Sequence, residues 1–193
     1  MKYNVKETEK VYHGSRIVVF RDFIEQPDGS EVSREVVVFN NAAAIVPLTD
    51  DGDVILIKQF RYPTKGELVE IPAGVLAEDE DPECCAGREI VEETGYSAGK
   101  ITHLGKIHTS PGVCSETIDL YLAEDLKKGD QDLEHGEVIE LMPVKFEQAL
   151  EMIAAGEITD AKTICGLLLA SRTLRLRAGD RARETHARQQ ETC

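Results

Sequence analysis

The chain has 193 residues, of which 41% are hydrophobic and 30% charged, and its formal net charge is −14 at pH 7. This length fits one ordinary domain with a small appendage, and the hydrophobic content allows a real core. The strong negative charge argues against binding to nucleic acid or to an anionic membrane surface. No segment is apolar and long enough to span a bilayer, and the first ten residues lack an apolar signal stretch.

The cysteines indicate a reducing environment. They are odd in number and show no Cys-x-x-Cys spacing, so buried thiols are favoured over a disulfide framework or a zinc site. We therefore expect a cytoplasmic protein. The five cysteines are Cys84, Cys85, Cys114, Cys165 and Cys193.

Residues 8–39 predict β-structure ahead of the main domain. Two extended runs flank Asp28-Gly29, a dipeptide typical of tight hairpins. A long hairpin cannot bury both of its faces alone, so it must pack on the body of the domain or on a second subunit. We define residues 1–39 as an N-terminal antiparallel β-hairpin subdomain.

The main domain alternates predicted strands and helices. A second, more apolar hairpin is expected around Asp51-Gly52, and residues 129–137 read as a polar loop. Two helices close the domain, the second capped by Asp160, and residues 177–193 are expected to be a frayed tail. Further strands are predicted at residues 67–74, 99–112, 116–126 and 138–144, and the closing helices at 145–156 and 161–176.

The stretch from Gly74 to Tyr96 contains eight acidic residues and one arginine. Its second half reads as a helix, because Asp81 is a good N-cap, Pro82 suits the first helical position and Gly95 is a C-terminal stop.

On this helix Glu89 and Glu93 are four residues apart, and Glu92 lies beside them. Three carboxylates on neighbouring ridges repel one another unless a cation sits between them. Arg88, four residues before Glu92, can orient that carboxylate. Converging hard oxygen ligands suit Mg²⁺ or Mn²⁺.

The same stretch fills a known family pattern without a departure. It resembles the Nudix box, the signature of hydrolases that act on a nucleoside diphosphate linked to another group. The resemblance implies an α/β fold, a Nudix-type α/β/α sandwich with a mixed sheet over residues 40–176. The matching positions are Gly74, Glu80, Arg88, Glu89, Ile90, Glu92, Glu93, Gly95 and Tyr96.

The resemblance also implies roles for the box residues. Glu89 and Glu93 resemble the principal Mg²⁺ ligands, Glu92 a further ligand or a partner of a bridging water, and Ala73 the residue whose backbone carbonyl joins the metal. Gly74, Glu80 and Arg88 would hold the helix and its loop in register around the metal.

A general base is expected outside the box. The run His135–Leu141 resembles the segment in which ADP-ribose pyrophosphatases carry a catalytic glutamate on a loop that closes over the site, which assigns this role to Glu137. Glu134 and Glu140 are neighbouring alternatives, although strand alternation puts Glu140 on the face opposite Glu137.

Substrate-binding residues follow from the ADP-ribose pyrophosphatase-like subgroup. Pro111 and Gly112 lie in a loop that resembles its post-box proline segment, and Glu116 matches an acid common there. Arg61, in a segment similar to QxRYP, would meet the diphosphate or the adenine side. An ion pair between Arg61 and Glu67 or Glu70 remains an equal alternative from the residues alone.

The N-terminal sheet gives a further expectation. Some relatives stack adenine between aromatic side chains of this sheet, but this chain has no tryptophan, and Arg16 and Arg34 stand at the corresponding places. Arginine can stack on a base through its planar face. Such sheets commonly support a dimer, so the resemblance implies a homodimer.

The leading hypothesis is Mg²⁺-dependent hydrolysis of ADP-ribose to AMP and ribose 5-phosphate. One alternative is another nucleotide sugar, such as GDP-mannose or UDP-glucose, cut at the same metal site. A second is a regulator that binds ADP-ribose without cleaving it. The intact acids of the box and Glu137 speak against the regulator.

Overall fold

The computed structural model describes residues 3–133 and 136–191, with side chains up to residue 179 and at residue 183. The described residues form strands β1 (Asn4–His13), β2 (Val18–Glu25), β3 (Glu31–Val38), β4 (Ala42–Pro47), β5 (Asp53–Arg61), β6 (Gly66–Glu70), β7 (Ala73–Val75), β8 (Tyr96–His108), β9 (Thr117–Lys128) and β10 (Ile139–Lys145), and helices α1 (Pro82–Thr94), α2 (Phe146–Ala155) and α3 (Ala161–Glu191).

The central sheet has the strand order β7-β4-β9-β8. It is mixed, because β4 runs parallel to β9 while the other neighbours are antiparallel. Side chains alternate between the faces of β4, so Ala43 and Ile45 pack with α1, and Ala44 and Val46 pack with α2 and α3. This confirms the predicted α/β/α sandwich with a mixed sheet.

A second sheet, β10-β5-β6, is antiparallel throughout. The hairpin predicted around Asp51-Gly52 is wrong in its pairing, because β4 and β5 belong to different sheets. The turn itself forms, with Gly52 at φ +79° and donating to the Thr49 carbonyl at 3.0 Å. A single bridge between Leu48 and Val54 joins the two strands. Strand β4 pairs instead with β7 and β9 along its two edges, and the helices on either side of the sheet bury its two faces.

The chain crosses between the two sheets at Ile71-Pro72. The sequence predicts one strand over residues 67–74, but β6 ends in the second sheet and β7 begins in the central sheet. Proline has no N–H to continue a ladder. The Pro72 carbonyl instead accepts a hydrogen bond from the Ile45 N–H at 3.0 Å, which attaches the crossing to β4.

The N-terminal sheet has three antiparallel strands rather than the two runs predicted. The first run breaks at residues 14–17, where the Gly14 N–H donates to the Ile17 carbonyl at 2.9 Å. This sheet meets the main domain through Val37, which bonds the backbone of Val113 at 2.8 Å and of Ser115 at 3.0 Å. Every residue of β1 is exposed in the single chain.

The last helix is longer than the sequence predicts. The sequence predicts a frayed tail over 177–193, but within the described residues α3 continues to Glu191, since the residues after Ala178 are mostly good helix formers. Residues 192–193 lie outside the described residues. Arg177 fastens it to the sheet through Glu124 at 2.6 Å and Thr102 at 3.1 Å. Among the described residues, no helix is long and apolar enough to cross a membrane.

Candidate active site

Helix α1 has the ends that the sequence predicts. The Asp81 carboxylate accepts a hydrogen bond from the Glu83 N–H at 2.9 Å, and Gly95 ends the helix at φ +73°. A Cβ at Gly95 would lie 2.8 Å from the Gly129 carbonyl oxygen, so the polar loop after β9 packs against the helix end. These contacts fix the helix that carries the box carboxylates.

The guanidinium of Arg88 binds three carboxylates. It contacts Glu80 at 3.0 Å, Glu89 at 2.6 Å and Glu92 at 2.7 Å, the last being the contact predicted from the four-residue spacing. Glu80 also accepts the Ala77 N–H at 2.8 Å, so it is not an isolated surface acid. The hydrogen bonds from Arg88 and Ala77 lower the pKa of Glu80 to about 2.

Glu89 and Glu93 are buried, with 8% and 3% of their surface exposed. Burial raises the pKa of Glu93 to about 8, although the Ala73 N–H donates to its carboxylate at 3.0 Å. Burial also raises the pKa of Glu89, against the charge of Arg88. The charge of Glu137 raises the pKa of both carboxyls, so Glu137 lies within electrostatic reach of the box.

Gly74 brings backbone against the Glu89 carboxylate. A Cβ at this position would lie 1.8 Å from Glu89 Oε1, so any larger residue would displace that carboxylate. The first glycine of the box is therefore explained by a close approach of backbone to a charged side chain.

The donors of the box fit Mg²⁺ or Mn²⁺ by their chemistry. Glu89, Glu92 and Glu93 present hard carboxylate oxygens, and two of them are desolvated, so a bound cation would offset the cost of their charge. Within residues 3–133 and 136–191, however, no three His, Cys, Asp or Glu side chains are gathered tightly enough to hold a metal ion. Contacts to Arg88 and to the Ala73 N–H hold the carboxylates in this arrangement.

A cavity of about 700 Å³ lies beside the box. This volume is in the range of small-molecule sites. Residues from both sheets and from the start of α3 line it: Ala42, Arg61, Ala73, Gly74, Val75, Ile107, His108, Thr109, Glu116, Ile118, Asp160, Ala161, Lys162 and Cys165.

Arg61 lines this cavity while paired with Glu70. Its Nε and Nη2 donate to the two carboxylate oxygens of Glu70, each at 2.7 Å, so the ion-pair alternative left open by the sequence is present. Only 1% of the Glu70 side chain is exposed.

The other predicted substrate residues divide into two groups. Glu116 lines the cavity, whereas Pro111 and Gly112 lie exposed in the loop between β8 and β9 and are not among its lining residues. Arg16, between β1 and β2, and Arg34, on β3, are exposed and are not among the residues that line the cavity of their own chain.

The three candidates for the general base differ in their exposure and in whether the structure describes them. Glu137 is half-buried, whereas Glu140 is exposed and forms an ion pair with Lys58 at 3.8 Å. Glu134 lies outside the described residues. Sequence reasoning missed Lys162, which lines the cavity; the only signal for it was its place just after the helix cap Asp160.

Comparison with known proteins agrees with the fold and the box. The NUDIX domain family matches residues 38–166. An ADP-ribose pyrophosphatase of Bacillus subtilis is 40% identical over 157 residues, covering 80% of this chain and 85% of the relative. A methanol dehydrogenase activator of Bacillus methanolicus is 35% identical, with coverage of 82% and 86%.

One further relative and one solved structure carry other names. A GDP-mannose pyrophosphatase of Escherichia coli K12 is 37% identical over 153 residues, covering 73% of this chain and 80% of the relative. A crystal structure of an ADP compounds hydrolase superposes with a TM-score of 0.84 at 22% identity, covering 92% and 96% of the two chains, which supports the fold.

The fold and the box thus define a hydrolase of the phosphoanhydride-cleaving type. The chain belongs to the Nudix family and is a Nudix pyrophosphohydrolase. Members of this family generally need a divalent metal ion.

Gly74→Ala tests the close approach to Glu89. The added methyl group should leave the fold intact, because the atoms it meets are the far end of a flexible side chain, but it should displace the carboxylate. We expect the affinity for Mn²⁺, measured by electron paramagnetic resonance, to fall about tenfold or more. Gly179→Ala is the matched control, since a Cβ there meets no atom within 4 Å. Equal Mn²⁺ affinity in the two variants would contradict this geometry.

Glu80→Gln tests the charge of the Arg88 cluster. The pKa of Glu80 falls from 4.5 to about 2 on folding, so its carboxylate stabilises the fold above its unfolded pKa, and this stabilisation disappears as the pH falls towards 2. The difference in free energy of unfolding between wild type and Glu80→Gln should therefore be constant from pH 7 to about 5 and shrink below that. Urea unfolding at pH 7, 5, 4 and 3 measures it. A difference that stays the same from pH 7 to pH 3 would show that Glu80 is not held as a carboxylate by Arg88.

Proposed function

We propose that this protein hydrolyses the pyrophosphate of a nucleoside diphosphate sugar with Mg²⁺, and that ADP-ribose, cut to AMP and ribose 5-phosphate, is its main substrate. The observation that carries the proposal is the pair of buried carboxylates, Glu89 and Glu93, on one helix beside a cavity lined by Arg61. The name of the Bacillus subtilis relative supports ADP-ribose as the substrate.

The chain's own residues have distinct tasks in this reaction. Glu89, Glu92 and Glu93 would hold Mg²⁺, which neutralises phosphate charge and acidifies water. Arg88 keeps Glu89 and Glu92 in place from behind. The backbone carbonyl of Ala73 is assigned to the metal as well, and Gly74 and Glu80 keep the loop and helix in register.

Glu137 takes the role of general base. It accepts a proton from the attacking water as the new phosphorus–oxygen bond forms and the bridging oxygen departs with the second phosphate. Its location after a glycine, Gly136 at φ +91°, suits a segment that approaches bound substrate. The Glu137 charge that acts on Glu89 and Glu93 supports this assignment.

The substrate pocket is assigned to both the cavity and the loop between β8 and β9. Arg61 would bind diphosphate oxygens and Glu116 would face the sugar or the phosphates, with Pro111 and Gly112 shaping the loop. Arg16 and Arg34 do not line the cavity of their own chain, so we assign them to the base of a substrate bound in the partner subunit.

A second candidate is hydrolysis of GDP-mannose or UDP-glucose at the same metal site. The Escherichia coli relative supports the first of these. This chain has no tryptophan, so other groups must recognise the base. A guanidinium group stacks on the flat face of any base and does not by itself select adenine over guanine or uracil. A regulator that binds ADP-ribose without cleavage is a third candidate, disfavoured by the complete set of box acids.

A release assay distinguishes these candidates. The protein is incubated with Mg²⁺ and ADP-ribose, GDP-mannose, UDP-glucose, diadenosine polyphosphates or deoxynucleoside triphosphates, and products are separated by chromatography. The proposal expects the highest kcat/KM with ADP-ribose, with AMP and ribose 5-phosphate as products. A preference for GDP-mannose would select the second candidate, and binding of ADP-ribose without turnover would select the regulator.

Glu137→Gln tests the general base. If Glu137 accepts the proton, kcat should fall by about 10²–10⁴-fold while KM and Mg²⁺ affinity change little. A Mg²⁺ titration of this variant separates the roles: activity that recovers at high Mg²⁺ would make Glu137 a metal ligand. An unchanged kcat would remove it from the mechanism and return the role to Glu134 or a box carboxylate.

A homodimer built through residues 1–39 is the second part of the proposal, as is a cytoplasmic location. The dimer is supported by the projecting three-stranded sheet, whose strand β1 is exposed over its whole length and carries Val5, Val11 and Tyr12 with about half of their surface exposed. A second copy packed on this strand would cover these side chains. The cytoplasmic location rests on the unpaired cysteines of the described residues.

Light scattering at micromolar concentration tests the dimer. We expect a mass close to twice 21.3 kDa for the wild type. The double variant Val5→Glu, Val11→Glu places two charges on the exposed strand and should shift the mass towards a monomer. A monomeric wild type would contradict the assembly.

A further inference from the structure

The start of α3 is hydrogen-bonded to the strand that leads into the box. Asp160 caps this helix by accepting bonds from the Thr163 N–H at 3.0 Å and the Thr163 hydroxyl at 2.6 Å. The fully buried Thr163 hydroxyl in turn accepts the Ile71 N–H at 2.9 Å. Ile71 is part of the crossing between the sheets, so the helix start and the crossing form one connected unit.

Lys162, between these two residues, turns its ammonium group to Glu70. It contacts the Glu70 Oε2 atom and the Asp160 carboxylate, the latter at 3.0 Å, and only 12% of its side chain is exposed. Glu70 Oε2 is also the atom that accepts the Arg61 Nη2 at 2.7 Å. One buried carboxylate thus holds two cations, and both cations line the cavity.

The charges within this cluster cancel. The two positive charges of Arg61 and Lys162 are balanced by the two carboxylates of Glu70 and Asp160. The cluster therefore has no net positive charge with which to attract a phosphate. Burial raises the pKa of Glu70, but the hydrogen bonds and charges of Arg61 and Lys162 outweigh it and bring the pKa below its ordinary value. What the cluster provides is a fixed direction for each group.

Direction matters most for Arg61. Its fork with Glu70 uses Nε and Nη2, so the plane of the guanidinium follows the plane of the Glu70 carboxylate. If Arg61 alone held the Glu70 carboxylate, the carboxylate and the guanidinium could rotate together. Lys162, anchored to Asp160 at the helix start, removes that freedom.

We propose that Lys162 is a positioning residue for the hydrolysis: acting through Glu70, it fixes the Arg61 guanidinium in the orientation that binds the diphosphate of the substrate. This inference rests on the function proposed above, since Arg61 is given the diphosphate there. It assigns a task to the first turn of α3 beyond closing the fold.

The chain offers a matched control for the arrangement. Glu124 is shared by Lys100 at 2.6 Å and Arg177 at 2.6 Å, which is again one carboxylate between a lysine and an arginine, but none of the three lines the cavity. Lys100→Met therefore removes a comparable lysine contact away from the site.

The first measurement does not depend on activity. The Arg61 Nε–H signal is followed by ¹⁵N NMR and assigned by its loss in Arg61→Lys. Lys162→Met should shift or broaden this signal, Lys162→Arg should restore it, and Lys100→Met should leave it unchanged. An Arg61 signal that is identical in wild type and Lys162→Met would overturn the proposal. If Lys162→Met does not fold, Lys162→Gln takes its place.

The second measurement is a kinetic double-mutant cycle with ADP-ribose. Lys162→Met should raise KM about tenfold or more with a smaller change in kcat, because a fixed contact to bound substrate is lost. In the Arg61→Lys background the same change should cost much less than in the wild type. Equal costs in both backgrounds, or a loss of thermal stability without a change in KM, would make Lys162 a structural residue only.

The two measurements separate failure of this inference from failure of the proposed function. A wild type that cleaves ADP-ribose, together with an unmoved Arg61 signal, rejects the positioning role alone. A wild type that cleaves no nucleotide sugar rejects the function, and with it the catalytic meaning of the Arg61 orientation.

Discussion

The structure depends on carboxylates that are buried without an equal number of cations. Residues 74–96 contain eight acids and one arginine, and Arg88 binds three of those acids at once. Glu93 is left with a backbone N–H as its described hydrogen-bond donor, and burial raises its pKa to about 8. A protein gains no stability from such an arrangement on its own, because desolvating like charges is costly. A divalent cation would remove the conflict, and this is the physical argument for the metal site proposed at the box.

The fold brings this helix to the cavity by a crossing between sheets. Strand β6 belongs to one sheet and β7 to the other, and the crossing at Ile71-Pro72 sets Arg61 and Glu70 beside Ala73 and Gly74. Hydrogen bonds from Ile45 to Pro72 and from Ile71 to Thr163 hold the crossing from both sides. Backbone hydrogen bonds thus hold the crossing, while the Glu70 carboxylate holds the charged groups of the cavity wall, Arg61 and Lys162.

The sequence was most informative where function needs residues at fixed local spacing. The ends of α1 and the contact of Arg88 with Glu92 follow from it, because capping and helical periodicity are local. The mixed sheet followed from the family resemblance of the box. Sequence reasoning failed at long range. A turn at Asp51-Gly52 was correct, but whether its strands pair was decided by β9, about seventy residues later in the chain. Likewise no local pattern marks Lys162 as a partner of Glu70, 92 residues away.

The extension of α3 shows the same limit in another form. Apolar periodicity ends before Ala178, yet the helix continues, since its residues favour helix and Arg177 fastens it to β8 and β9. Periodicity reports burial of a helix face and is silent about exposed helical turns.

The most direct test of the central claim is the thermal stability of the protein as a function of Mg²⁺. A cation that binds only the native state adds about 2.7 kcal/mol at a concentration of 100 Kd. By calorimetry, we expect the Tm of the wild type to rise steadily with Mg²⁺ at constant ionic strength, and the rise to be largely lost in Glu93→Gln. A Tm of the wild type that Mg²⁺ does not change would contradict the account of the box as a metal site.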